Sequence, residues 1–142
     1  MQILELTDGY LIRLEKDEKL HESLLRFAAE KNIQSASYIG LGALKNTELG
    51  FYHLDRKEYD RRVFEHEAEL INLTGNIGWF DGKHAIHTHL TLGDEEFRAH
   101  GGHCFEAKVA VTVEIHMRVF PQKAERQFEP DVGLNLFQLC RL

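Results

Sequence analysis

Lys108-Val-Ala-Val-Thr-Val-Glu-Ile-His-Met-Arg-Val119 alternates along its whole length. Val109, Val111, Val113, Ile115, Met117 and Val119 fall on one face, and Ala110, Thr112, Glu114, His116 and Arg118 on the other. Successive side chains of a strand point to opposite sides of a sheet. A period of two therefore predicts a strand with one face on a core and the other turned outward.

Working back from it, further strands are predicted at Tyr10–Leu14, Ile33–Ile39, Leu49–His53, Ile77–Phe80 and His84–Leu92. Arg62–His66 and Glu69–Thr74 flank a short break and are expected to pair. Asp81-Gly82 joins two of these runs as a tight hairpin turn. A last strand is expected over Leu134–Leu139. The period changes to helical between Glu18 and Lys31, where Leu20, Leu24, Leu25, Phe27 and Ala28 form an apolar stripe. Asp17 is the expected N-cap and Asn32 the stop. The reading is an α+β fold, with one main helix and a largely antiparallel sheet of about seven strands. A parallel sheet would need more crossover helices.

The chain has 142 residues, which fits one domain over 1–142. No linker, repeat or low-complexity tract divides it. No run of about 18 apolar residues is present, so no membrane-spanning helix is expected. The start, Met1-Gln-Ile-Leu-Glu-Leu6, lacks the pattern of a secretory signal, and the cytoplasm is the expected location. Cys104 and Cys140 read as thiols packed as small hydrophobes. The formal net charge is −6, and Arg56, Lys57, Arg61 and Arg62 sit among Asp55, Glu58, Asp60 and Glu65. That balance disfavours phosphate binding, which needs clustered, unopposed cations.

Nine histidines raise the question of which converge. His87-Thr88-His89 lies within a predicted strand, so the two imidazoles share a face and can grip one metal ion. Neutral imidazole suits zinc, copper, iron and nickel. A third ligand is offered by Gly101-Gly102-His103, where the glycines permit close backbone approach or positive φ. Three histidines leave a coordination position open, the pattern of a reactive site. His100 is the rival third ligand, while His84 has the wrong parity. Glu114 has several readings: a fourth ligand, an acceptor fixing an imidazole tautomer, a general base, or a solvated strand glutamate. Strand parity sends Cys104 away from His103.

The segments Leu73-Thr-Gly-Asn-Ile-Gly78, Asp81-Gly82, His87-Thr-His89, Gly101-Gly-His103 and Thr112-Val-Glu-Ile115 resemble the plants and prokaryotes conserved (PPC) domain. Ile39-Gly-Leu-Gly-Ala-Leu44 and Asp131-Val-Gly-Leu-Asn-Leu136 are also similar to it. The resemblance covers nearly the whole chain. It implies an α+β homotrimer with a metal, commonly zinc, on His87, His89 and His103. It also implies protein contacts as the working surface, and a fold similar to acetolactate decarboxylase. Plant members of the family reach DNA through AT-hooks. No Arg-Gly-Arg-Pro run occurs in this sequence, so DNA is a disfavoured partner.

The expected function is a metal-binding, homotrimeric interaction module of DNA-binding or regulatory type. The alternative is a zinc-dependent lyase or hydrolase acting on a small oxygenated substrate, with Glu114 moving a proton.

Overall fold

The computed structural model describes residues 1–140. Strands β1 (Gln2–Leu6) and β2 (Gly9–Glu15) precede helix α1 (Leu20–Glu30). After it run β3 (Ser35–His53), β4 (Glu58–Phe64), β5 (Ala68–Phe80), β6 (Lys83–Gly93) and β7 (Ala99–Phe120), then β8 (Arg126–Glu129) and β9 (Leu134–Phe137). The first seven strands form one antiparallel sheet, ordered β1-β2-β7-β6-β5-β3-β4, and β8 with β9 forms a small separate hairpin. Because β7 pairs with β3 as well as with β6, strands β3, β5, β6 and β7 close into a ring. Closure removes exposed edges from these four strands.

Several expected strands are pieces of longer ones. Ile33–Ile39, which forms strand only from Ser35 on, and Leu49–His53 belong to a single β3, continuous through Gly40-Leu41-Gly42. Pairing with β5 slips between Gly40 and Gly42, a bulge that bends the strand without ending it. Gly42 has φ +150°, and a Cβ there would lie 2.1 Å from the Thr112 carbonyl oxygen, so only glycine fits. Glu69–Thr74 and Ile77–Phe80 likewise merge into β5. The expected pairing of Arg62–His66 with Glu69–Thr74 does not occur. Both β4 and β5 pair with β3, one after the other along its length. The turn at Asp81-Gly82 forms as expected, both residues having positive φ.

One position of the decisive strand is reversed. Val113, Ile115 and Met117 are buried, but Val111 is 66% exposed and its neighbour Ala110 is buried. Between Gly42 and Leu44 the β3–β7 register jumps from Val113 to Val109, and that irregularity turns Val111 to the outer face.

The helix buries Leu20, Leu24, Phe27 and Ala28 completely. Each large apolar side chain so buried stabilises the fold by about 1.5–3 kcal/mol. Phe27 meets Tyr10 edge-to-face at 4.9 Å. Asp17 is not the N-cap. It has φ 71° and its carboxylate pairs with Lys45 at 2.9 Å and Lys108 at 3.4 Å. Glu106 on β7 caps the helix instead, accepting from the His21 amide at 2.9 Å and the Glu22 amide at 3.3 Å. A carboxylate there also meets the positive end of the helix dipole. Asn32, at φ 50°, ends the helix as expected.

Cys104 is buried, and burial pushes its thiol up to about 12. Cys140 is exposed, against the expectation that both thiols pack inside. No described helix is long and apolar enough to cross a membrane.

Candidate metal centre

Strands β6 and β7 meet in register with His89 opposite His103 and Leu90 opposite Gly102. The pair two residues apart on β6 thus stands beside the third imidazole on β7. Ring centroids are 5.1 Å apart for His87–His89, 5.1 Å for His87–His103 and 5.5 Å for His89–His103. One ligand atom from each ring lies within 4.8 Å of the others. His87 and His103 are half-buried, and His89 is exposed. The glycines before His103 serve close approach. A Cβ on Gly102 would lie 2.9 Å from the Gly50 carbonyl oxygen of β3.

The electrostatics suit a metal. Burial, then the charges of Arg126 and His89, hold His87 below the usual imidazole range. Burial, then His87 and His89, push His103 down to about 4. Both rings are therefore neutral near pH 7, the form that ligates. Nδ1 of His103 is buried without a hydrogen-bond partner. An orphaned imidazole nitrogen beside two others fits a divalent cation, with zinc expected at about 2.0–2.1 Å from each nitrogen.

The strand carrying two of these histidines is fixed from behind. Thr88 is fully buried on the opposite face of β6, with its Oγ1 2.7 Å from His21 Nε2 and 2.6 Å from the Tyr38 hydroxyl. His21 Nδ1 lies 2.9 Å from the Phe105 carbonyl, which can only accept, so Nδ1 carries the proton. Burial keeps His21 neutral, so Nε2 is a bare acceptor. The chain therefore runs one way: Tyr38 donates to Thr88, Thr88 to His21, and His21 to the backbone.

The other candidates lie elsewhere. His100 bonds Asp94 at 2.9 Å, holding that carboxyl well below its usual range, and is outside the cluster. His84 donates to the Ile33 carbonyl at 2.8 Å and stacks on Trp79 at 4.1 Å. Glu114 is exposed and opposes Arg13 and Leu41 on the β2 and β3 flanks of β7. It lies eleven positions along β7 from His103, about 36 Å of strand at about 3.3 Å per residue. Within one chain it does not reach the histidines.

A cavity of about 260 Å³ opens beside His87 and His103, and Tyr59 and Arg126 line it with them. Tyr59 stacks on His103 at 5.1 Å, and burial raises its hydroxyl. Arg126 donates to Asn76 Oδ1 at 2.6 Å and to the Asn135 carbonyl at 3.0 Å. Sequence reasoning passed over both. An isolated arginine near the end of the chain carries no spacing signal, and β8 brings it to the cluster only in three dimensions.

The sequence pattern of the Plants and Prokaryotes Conserved (PCC) domain matches residues 1–121. The chain belongs to the PCC-domain family. A PPC protein of Pyrococcus horikoshii has the same fold at TM-score 0.88, with 32% identity over 99% of this chain and 97% of that one. A "putative DNA-binding protein" of Ralstonia eutropha JMP134 is similar at TM-score 0.89 and 31% identity, covering 97% of this chain and 96% of that one. A protein of Archaeoglobus fulgidus described as metal-containing is similar at TM-score 0.85 and 29% identity, covering 98% and 100%. Among curated proteins, none matches the sequence.

Proposed function

We propose that this PCC-domain protein holds a divalent metal, zinc by its ligand set, on His87, His89 and His103, and acts as a homotrimeric interaction module in the cytoplasm. The convergence of three imidazole ligand atoms within 4.8 Å carries the metal reading. The metal-containing A. fulgidus relative supports it. When bound, such a metal supplies a Lewis acid with an open coordination position. The protein's own part is to keep the rings neutral and to fix their directions through β6 and β7.

The trimer draws support from the outer face of the sheet. Ile39, Leu41 and Val111 are 61%, 56% and 66% exposed on neighbouring stretches of β3 and β7. Large apolar side chains exposed on adjoining strands suit a contact site. Protein contact is favoured over DNA by charge. A trimer would carry three times −6, about −18, which repels phosphate. The arginines of the β4 region are also engaged: Arg56 with Asp60, Arg61 with Glu48 and the Phe105 ring, and Arg62 over Phe64.

A second reading, a zinc-dependent lyase or hydrolase, is favoured by the cavity beside the cluster. A proton-handling Glu114 would then have to come from a neighbouring protomer.

The test is metal analysis of untagged protein. One equivalent in wild type, lost in both His87→Ala and His103→Ala, is the expected result. No metal in wild type after zinc is supplied would overturn the proposal. Light scattering reads the assembly, with three chain masses expected, and a duplex mobility shift at low salt would reinstate DNA as partner.

A further inference from the structure

Three buried side-chain atoms lack a hydrogen-bond partner among the described residues: Thr47 Oγ1, His103 Nδ1 and Arg126 Nε. Two of the three belong to residues lining one cavity, the space of about 260 Å³ between the histidines and the β8–β9 hairpin. Buried polar atoms are normally satisfied; the metal read above takes His103 Nδ1, and Arg126 Nε in the same cavity is left for a second group.

Arg126 is placed for such a ligand. Its side chain is held by Asn76, the residue directly opposite His87 in the β5–β6 register. Directly opposed residues have Cβ atoms about 4.5–5.5 Å apart, so the guanidinium is tethered one strand spacing from a metal ligand. Its charge lies 3.9 Å from the centre of the Phe137 ring, which fixes the guanidinium's other contact. Of its five N–H donors, two are taken by Asn76 and Asn135. Among the described residues no carboxylate lies within ion-pair distance of it, although fifteen such pairs form elsewhere. In an acidic chain, a half-buried arginine with no carboxylate partner favours pairing with an anion.

The remaining walls set the kind of anion. Phe80, Ile86, Leu134 and Leu136 make them apolar, which suits an organic body more than a bare inorganic ion. The volume is below that of a cavity for a drug-sized molecule. A planar guanidinium matches a planar carboxylate.

We propose that this cavity binds a small organic carboxylate, its carboxylate held by Arg126 and its other end facing the metal on His87, His89 and His103. The inference rests on the metal reading above and adds the ligand class. A single anion in a walled pocket is compatible with a chain that repels polyanions as a whole.

The experiment titrates zinc-loaded full chain with lactate, pyruvate and inorganic phosphate by calorimetry, with zinc content measured on each sample. Wild type is expected to bind a carboxylate at one per chain. Arg126→Gln should bind it about ten- to hundred-fold more weakly, the range for a lost hydrogen bond to a charged group, with zinc content unchanged. Arg126→Lys should restore part of the affinity by restoring charge. Retained zinc in both variants shows that the site still folds. Equal carboxylate affinity in wild type and Arg126→Gln overturns the proposal, as does no binding of either carboxylate at millimolar concentration to zinc-loaded protein. Tighter, equally Arg126-dependent binding of phosphate would replace the carboxylate with an inorganic anion. Wild type without zinc would instead overturn the metal reading itself.

Discussion

Replacing Thr88 with valine keeps the side chain's shape and removes only its hydroxyl. In the one-way chain through Tyr38, Thr88 and His21, that hydroxyl both donates and accepts. Without it, His21 Nε2 has a lone pair facing a methyl group, and the Tyr38 hydroxyl is left with the His87 carbonyl at 3.5 Å. All three side chains are buried, so water does not compensate. An unsatisfied buried group costs about 1–3 kcal/mol, and Tyr38 keeps a weak substitute. The expected loss for Thr88→Val is therefore about 2–4 kcal/mol. With a urea slope of about 2 kcal/mol/M, the midpoint falls by about 1–2 M. Thr88→Ser is the control. It keeps the hydroxyl and loses one methyl, costing about 1 kcal/mol. Equilibrium urea unfolding of the metal-free protein, followed by circular dichroism, measures both. A valine variant within 0.5 kcal/mol of wild type, or more stable than the serine variant, would refute the hydrogen-bond directions assigned here.

Metal-free protein should lose stability as pH falls from about 6.5 toward 4. His21, His87 and His103 all hold folded pKa values below the ordinary imidazole value, His103 at about 4. The unfolded chain therefore takes up protons in that window that the folded chain refuses. Urea midpoints that stay flat between pH 7 and 5 would contradict this. Gly42→Ala should lower the thermal midpoint sharply or prevent folding, because its Cβ would lie 2.1 Å from a backbone oxygen of β7; a midpoint equal to wild type would mean that the bulge relaxes. Glu106→Gln removes the charge at the start of the helix and one of its acceptors. A loss of about 1–2 kcal/mol in urea unfolding is expected, and no change would assign the helix start to packing alone.

The clearest sequence signals were those of short range. The Asp81-Gly82 turn, the stop at Asn32 and the His87/His89 parity each depend on a few neighbouring residues, and each forms as the local rules require. Failures fall where a distant strand decides. Val111 turns outward because of how β3 pairs with β7, and β4 joins β3 because β3 runs on through its glycines. Asp17 had the right chemistry for a cap, but Glu106, far along the chain, occupies the place. Strand β1 carries Ile3, Leu4 and Leu6 on an exposed edge and left no pattern to read. In the cluster of three histidines, His87 and His89 were legible from strand parity and His103 from the two glycines before it. Arg126 was not, since only the β8–β9 hairpin brings it near them.

The three imidazoles all lie within one antiparallel pair, β6 and β7, between positions 87 and 103. The ring of strands behind them joins residues as far apart as Ser35 and Phe120. An ion gripping the cluster therefore crosslinks only a short stretch of chain, and a short loop gives up little entropy on closure. Such an ion adds stability by mass action, as the logarithm of one plus its free concentration over its dissociation constant. It does little for the slow step, the meeting of distant β3 and β7, on which the folding rate depends. Zinc should thus raise the unfolding midpoint while leaving the refolding rate nearly as it was.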